Sequence, residues 1–328
     1  MYKTVTINHC TYEEIYEGPS RGRFEFALRN MPSSYGRKDR IKFEYKRCIF
    51  EPDMHFGEMT AFKIAEMLRI PCCEVELFSK PYPSQPHVCE TGCISHFDVG
   101  SDDILYVAEN VVSKYAKRHG IKNYYLIDID SIFAIVYDFF KEHNRPLTEF
   151  LKFKRDFIVM TIFDLKFGNF DRGINNWFIR KNKKTGEMEL YPMFDNEAIL
   201  GFTDDILDDM SYNSVSKFNN ARNSRVTISN DMKAGKNTNF KDLYDYLLRY
   251  YPLETRYANS IFDAFGMKDL EGILNNLPGI SEKRKEFAKK NYVYRTMELD
   301  RIKAEHEESA RVKRFALETS NIDGRLSS

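Results

Sequence analysis

Three polar residues in one stretch of the chain have the types and spacing to do phosphate chemistry: Asp171, Asn176 and Asp195. The first two sit in Gly168-Asn169-Phe170-Asp171-Arg172-Gly173-Ile174-Asn175-Asn176-Trp177. Asp195 closes the β-prone run Met188–Phe194, which follows β-prone Trp177–Arg180 across the turn-forming Lys184-Thr185-Gly186. A hairpin centred between Thr185 and Gly186 sets Asn176 and Asp195 equidistant from its midpoint and opposite each other. Opposed residues of an antiparallel pair have Cβ atoms roughly 5 Å apart. An amide oxygen and a carboxylate that close can share one hard cation, and Mg²⁺ typically takes one or two protein oxygens, with phosphate and water completing its shell. Asp171, just upstream, is placed to orient a hydroxyl and accept its proton. A metal clamp, an oriented nucleophile and positive charge on the phosphates are what phosphoryl transfer needs. Taken singly, an Asp-Arg pair caps many ordinary loops and an Asp at a strand end is often a turn residue; the joint pattern is what points to chemistry.

The protein-kinase catalytic loop also places its Asp five residues before a metal-binding Asn, and a helix before the loop with a hairpin after it would hold the three residues in place. The sequence supplies both. Pro146–Lys166 reads as a long helix, with Pro146 suited to its first turn and Gly168 to its end. Upstream the chain reads as strands: Tyr2–Ile7, Glu14–Tyr16, Phe24–Leu28 and Arg40–Phe50, where Ile41, Phe43 and Tyr45 alternate with Lys42, Glu44 and Lys46. Glu58–Arg69 has helical spacing stopped by Pro71, and Val75–Phe78 and Gly92–His96 read as strands. Asp102–Lys117 and Asp130–Glu142 read as helices, as do Phe240–Tyr250, Thr255–Phe265 and Ser281–Leu317. Asp204–Asn239 is polar and reads as loop, and Asn321–Ser328 as a frayed tail. The expectation is an α+β, bilobal fold: a small β-rich lobe over 1–97 and a larger, mostly helical lobe over 98–328.

The chain has 328 residues, 49 Lys plus Arg and 49 Asp plus Glu, so its formal charge is zero. That balance argues against a duplex-DNA binder, which would carry a basic excess, and no direct nucleic-acid contact is expected. Six cysteines are too few for a disulfide scaffold at this length and read as reduced thiols. Cys89 and Cys93, with His87 and His96, could form half a metal site, but the spacing fits no zinc pattern well. Met1–Cys10 does not read as a secretory signal and no apolar run reaches membrane-spanning length, so a cytoplasmic protein without membrane contact is expected.

Gly168–Arg172 followed by Asn176-Trp177, and then Tyr191-Pro192-Met193-Phe194-Asp195, resembles the catalytic core of the HipA-like serine/threonine kinases. The resemblance is strong over Asp164–Leu200 and collinear but weaker over Lys42–Asp98. It implies a bilobal kinase fold that binds ATP and Mg²⁺ and phosphorylates Ser or Thr of a protein substrate. Carried over, Asp171 resembles the catalytic base and Asn176 and Asp195 the metal ligands. Lys42 resembles the strand lysine that holds ATP phosphates, and Glu58 falls where the family has a helix glutamate, although Glu66 competes for that place. Gly18–Gly22 would be the phosphate-covering loop and Ser95-His96-Phe97 the hinge that meets adenine. HipA-like toxins pair with DNA-binding antitoxins, so an antitoxin-like partner is an expectation of the same kind.

Two departures stand out: the family has His where this chain has Gly173, and Pro where it has Glu44. Losing the His predicts a weakened kinase unless another group fills the gap; within the loop, Arg172 and Asn175 are the polar neighbours able to do so, and Gly173→His is expected to raise transfer. Two other readings stay open. One is a kinase of lipid or small-molecule hydroxyls; the other is a nucleotide-binding pseudokinase that serves as an interaction module.

Overall fold

The structure, a computed structural model, describes the backbone of residues 4–7, 10–15, 24–29, 41–47, 54–82, 85–97, 102–121, 127–229, 231 and 235–326. Alternating β-prone residues build a six-stranded sheet from β1 (Thr4–Ile7), β2 (Cys10–Ile15), β3 (Phe24–Arg29), β4 (Ile41–Arg47), β5 (Glu74–Tyr82) and β6 (Gln85–His96). Its order is β1-β2-β3-β4-β6-β5, and each neighbouring pair runs antiparallel. Between β4 and β5 lies α1 (Met54–Leu68), which packs on β5 and β6. It begins one turn before the expected Glu58, so Glu58 lies inside the helix and not at its start. After α1 the chain is stitched to the segment leading to Asp195: Cys73 N donates to Met193 O at 2.8 Å, and Met193 N donates to Pro71 O at 3.0 Å. A small apolar cluster of Cys73, Phe97, Tyr191 and Phe194 closes the same junction.

The stretch expected as one helix over Asp102–Lys117 is instead β7 (Asp103–Val107) followed by α2 (Ala108–Ala116). The run Ile104-Leu105-Tyr106-Val107 fits either period, and tertiary pairing decides it: β7 covers the edge of β9 (Phe178–Asn182), with Leu105 opposite Arg180. Next come β8 (Ile127–Asp128) and α3 (Ile129–Glu142), where Asp128 is the N-cap, accepting from Ser131 N at 3.0 Å.

Helix α4 (Leu147–Phe167) is the centre of the helical part. An amphipathic helix shows one apolar face, whereas α4 is buried from Phe157 to Leu165 without a break, so neighbours surround it. Trp177, 2% exposed, packs its indole edge-on to Phe157 at 5.2 Å. Gly168 ends the helix in the left-handed conformation at φ 80°, as expected, and donates to Asp164 O at 2.8 Å.

The hairpin β9–β10 (Met188–Leu190) is present but its register differs from the expected one. Met188 faces Lys181 and Leu190 faces Ile179, so the midpoint lies between Lys184 and Thr185. The reason is local. Asn182 Oδ1 accepts from Lys184 N and Thr185 N at 2.9 and 3.0 Å, and Gly186 takes φ 74°. The polar stretch 204–239 is more ordered than expected, with α5 (Tyr212–Asn220) and the short strands β11 (Asn223–Ser224), β12 (Val226–Thr227) and β13 (Thr238–Asn239). Strand β12 pairs with β8 and β11 with β13. Helix α6 has the expected bounds (Phe240–Tyr250) and α7 (Pro252–Phe262) starts at a proline. An unexpected α8 (Met267–Asn275) precedes α9 (Glu282–Leu326), which runs helically through most of the expected tail. Gly18 and Gly22 lie outside the described residues, as do the side chains of Lys42, Lys46, Cys89 and His87.

The described cysteines Cys72, Cys73 and Cys93 are thiols, not disulfide-bonded. Cys73 and Cys93 are buried, and burial, with the Glu58 carboxylate, pushes the Cys72 thiol far up. Since the thiolate is the nucleophile, these three are expected to resist iodoacetamide at pH 8 in the native protein and to react once it is unfolded. Peptide mass spectrometry reads this directly, and rapid native labelling of Cys93 would contradict the packing of β6.

Candidate active site

The loop after α4 is organised by one guanidinium. Arg172 is 1% exposed and Asp164, in the last turn of α4, is 3% exposed. Arg172 Nε and Nη2 donate to the two Asp164 carboxylate oxygens at 2.9 and 3.0 Å. This is a two-pronged pairing that lysine cannot make. Burial pushes the Asp164 carboxyl up against the pull of Arg172; burial would lower Arg172, but the Asp164 carboxylate together with Asp195 and Glu58 turns the shift upward. Asn169 Nδ2 adds a third donor to Asp164 at 3.0 Å. Arg172 is thus fully committed, so of the two loop neighbours able to stand in for the missing His it has no donor left to do so.

The remaining donors of Arg172 fix the candidate metal ligands. Its Nη1 donates to Asn176 O at 2.9 Å and to Phe194 O at 2.6 Å, and its Nη2 to Asn196 Oδ1. The ladder of β9 and β10 does not reach Asn176 and Asp195, whose surroundings are joined instead through this side chain. Asn176 is 5% exposed, and its Nδ2 donates to Asp171 O at 2.8 Å, so its amide oxygen is the atom left to meet a cation.

Asp195 adopts φ 58°, a left-handed conformation that L-residues adopt at a cost and that Asp tolerates better than most. It is imposed from both flanks. Phe194 O is held by Arg172, and Asn196 N donates to Glu58 Oε1 at 2.8 Å. Glu58 is 1% exposed, whereas Glu66 pairs with Lys63 on the surface, so the two glutamates that compete in the sequence differ in place. Carboxylate oxygens of Glu58, Asp195 and Glu197 all lie within 4.8 Å of one another. An all-oxygen set of this kind suits a hard cation such as Mg²⁺. Glu197 was not singled out in the sequence; its spacing of two from Asp195 is the available signal. Gly57 makes the approach possible, because a Cβ there would meet Glu197 O at 2.2 Å.

Asp171 is partly exposed. Its backbone N donates to Asn169 Oδ1 at 3.2 Å, and its Oδ1 lies 2.7 Å from Arg225 Nη2, an arginine the sequence reading did not consider. Ser95 is buried on β6, opposite Glu44 of β4 and Val75 of β5, and Phe97 packs against Phe194 at 5.0 Å between ring centres. Lys42 occupies β4 opposite Leu28. The structure therefore gathers Asp171, Asn176, Asp195 and Glu58 about Arg172, with Phe97 beside them.

No family model matches the chain. The fold is nevertheless that of the HipA-like kinases, as the resemblance implied. In sequence the chain is 24% identical to the serine/threonine-protein kinase CtkA of Helicobacter pylori strain J99, over 74% of this chain and 82% of that protein. The crystal structure of CtkA, titled a proinflammatory kinase of Helicobacter pylori, superposes with a TM-score of 0.64 at 18% identity, covering 87% of this chain and 95% of that one. HipA of Shewanella oneidensis, solved with HipB and operator DNA, gives 0.50 at 13% identity, covering 88% of this chain and 62% of that one. The chain is thus similar to CtkA in sequence, and it shares its fold with CtkA and HipA.

Removing one partner of a buried pair leaves an uncompensated charge, at a cost of about 3–5 kcal/mol, whereas replacing both by apolar residues is often near neutral. Arg172→Met should therefore lower unfolding free energy by about that amount in urea titrations, and Asp164→Leu with Arg172→Met should recover much of it. A single variant losing less than about 1 kcal/mol would mean that Arg172 is not the clamp.

Proposed function

We propose that the chain is an ATP- and Mg²⁺-dependent kinase that transfers phosphate to Ser or Thr hydroxyls of proteins. The observation that carries this is the Arg172 clamp, which ties the Asp171 loop, the Asn176 carbonyl and the segment ending in Asp195 into one rigid unit. Phosphoryl transfer leaves a protein little covalent chemistry to perform, so positioning and charge supply most of the acceleration. In this reading Asp171 orients the acceptor hydroxyl and takes its proton. Asn176 and Asp195 hold Mg²⁺, which supplies positive charge to the phosphates, and Glu58 extends the metal set. Ser95 to Phe97 meets adenine and Gly18–Gly22 covers the phosphates.

The relation to CtkA, named a serine/threonine-protein kinase, favours a protein acceptor over a lipid. Among the described residues no helix is long and apolar enough to cross a membrane. An antitoxin-like protein partner belongs to the same proposal, on the ground that HipA is found with HipB. A nucleotide-binding pseudokinase is the second reading; the ion pair on Asp171 and the glycine at 173 favour it.

Incubation with γ-labelled ATP, with and without Mg²⁺, followed by mass spectrometry of the chain and of added protein, separates these readings. Mg²⁺-dependent label on Ser or Thr supports a kinase; nucleotide binding without transfer supports the second reading. Asp195→Ala should abolish transfer, and Asp171→Ala should reduce it by at least about 10²-fold, the scale of positioned acid–base groups. Lys42→Met should weaken ATP use far more than Lys46→Met, because a charge on phosphates in a drier cleft is worth more than a solvated one. Wild-type rates in Asp195→Ala would sink the assignment.

A further inference from the structure

Gly173 stands where the family resemblance expects a histidine, and the structure shows what occupies the space beside it. A Cβ at Gly173 would meet Arg225 Nη1 at 3.3 Å and Arg225 Cδ at 3.5 Å, as well as Asn175 Oδ1 at 2.8 Å. The arginine that passes over this glycine ends on the neighbouring carboxylate, with Nη2 2.7 Å from Asp171 Oδ1. A Cβ alone would press mainly on Asn175 Oδ1 and sit tightly against Arg225 Nη1, whereas a side chain as large as histidine would compete with an arginine in this pose for the same volume.

Arg225 is also well anchored. It lies between β11 and β12, and both flanks are held: Ser224 pairs with Thr238 and Val226 with Ile127. Ser224 and Val226 are buried, and Val226 N donates to Ser224 Oγ at 3.1 Å. Only the side chain is left to move, and it is about half exposed, at 49%. A guanidinium carries five N–H donors in one plane, more than a single carboxylate oxygen uses. Surface ion pairs contribute little to stability, so an arginine held by buried neighbours and aimed at a partly exposed loop carboxylate is weak as a stabilising device.

We propose that Arg225 supplies the cation this loop otherwise lacks, contacting the transferring phosphoryl group beside Asp171, and that Gly173 is the space that admits it. This rests on the kinase reading above. In the step, the Pγ–O bond to the departing ADP breaks as the bond from the acceptor oxygen to Pγ forms. The acceptor proton passes to the Asp171 carboxylate, and Arg225 donates to the oxygens of the phosphoryl in flight. Charge develops there in a geometry already set, which is where a fixed guanidinium has its largest effect. The proposal reverses the expectation from sequence alone: Gly173→His should lower transfer, because it evicts Arg225.

The test is transfer from γ-labelled ATP·Mg²⁺ by wild type, Arg225→Ala, Arg225→Lys, Gly173→His and the Gly173→His/Arg225→Ala double variant, with nucleotide binding and thermal unfolding measured on each. Arg225→Ala should lose about 10- to 100-fold in kcat, the scale of a charged hydrogen bond, with KM for ATP changed less than about threefold, the lower part of what an exposed ion pair yields. Arg225→Lys should keep part of the rate. Millimolar guanidinium should restore part of the rate to Arg225→Ala and none to Gly173→His, a response that mere loss of a structural contact does not give. In the double variant the Gly173→His loss should vanish. Equal or higher kcat in Arg225→Ala overturns the proposal and makes the contact a brake on Asp171 or an idle surface pair. Additive losses in the double variant overturn the pairing of Gly173 with Arg225. If wild type binds nucleotide but transfers nothing, the kinase reading falls and this inference with it. If wild type transfers and Arg225→Ala matches it, only the inference falls.

Discussion

A buried guanidinium is the constraint on which the rest of the site depends. Taking Arg172 and Asp164 out of water is expensive, and their attraction offsets this only when the remaining donors are satisfied. They are: the end of α4, the Asn176 carbonyl, the Phe194 carbonyl and the Asn196 side chain each accept from the one arginine. The same bonds that satisfy the charge also fix where the helix ends, how the loop runs and where Asp195 sits. Chemistry-bearing residues are thus positioned by a group that need not touch the substrate. Asp164 stands at the C-terminal end of a helix, where a carboxylate is disfavoured by the macrodipole, so its presence there is understandable only through Arg172.

This separates two kinds of arginine in the same loop region. Arg172 is dry and saturated; Arg225 is half in water and retains donors beyond its contact with Asp171. The sequence places Arg172 next to Asp171 and hides Arg225 far along the chain, in a segment read as polar loop. Adjacency in sequence therefore points to the arginine that builds the loop, and only the fold reveals the one that reaches Asp171.

Much of the fold was legible where a segment carries its own signal. Gly168 marks the end of α4 because only a left-handed residue lets the helix close there, and α6 is bounded by a capping Asn239 and its apolar stripe. What escaped was set by partners distant in sequence. Asp103–Val107 is a strand because β9 offers it an edge, and the short strands near Arg225 exist because β8 and β13 pair with them. The hairpin register slipped because Asn182 folds the turn back on its own backbone, a competition that a midpoint argument ignores. In the site, Asp171, Asn176 and Asp195 could be singled out from type and spacing, and Glu58 only through the family resemblance. Arg225 and the close approach at Gly57 could not, since each depends on which distant backbone comes near.

The seam between Pro71–Cys73 and Met193 gives the molecule a fixed jamb. Two backbone bonds at 2.8 and 3.0 Å join the sheet-bearing part to the segment that carries Asp195, and Phe97 packs on Tyr191 and Phe194 close by. Rigid bodies tied at two neighbouring places can rotate about the line through them far more easily than they can separate. The Glu58–Asn196 bond and the close approach of Gly57 to Glu197 tie the same parts beside this seam, so any breathing that admits or releases a ligand widens with distance from it. Asp195, two residues from the seam, would scarcely shift in such a motion, so it keeps the position that Arg172 and Glu58 give it while more distant parts open.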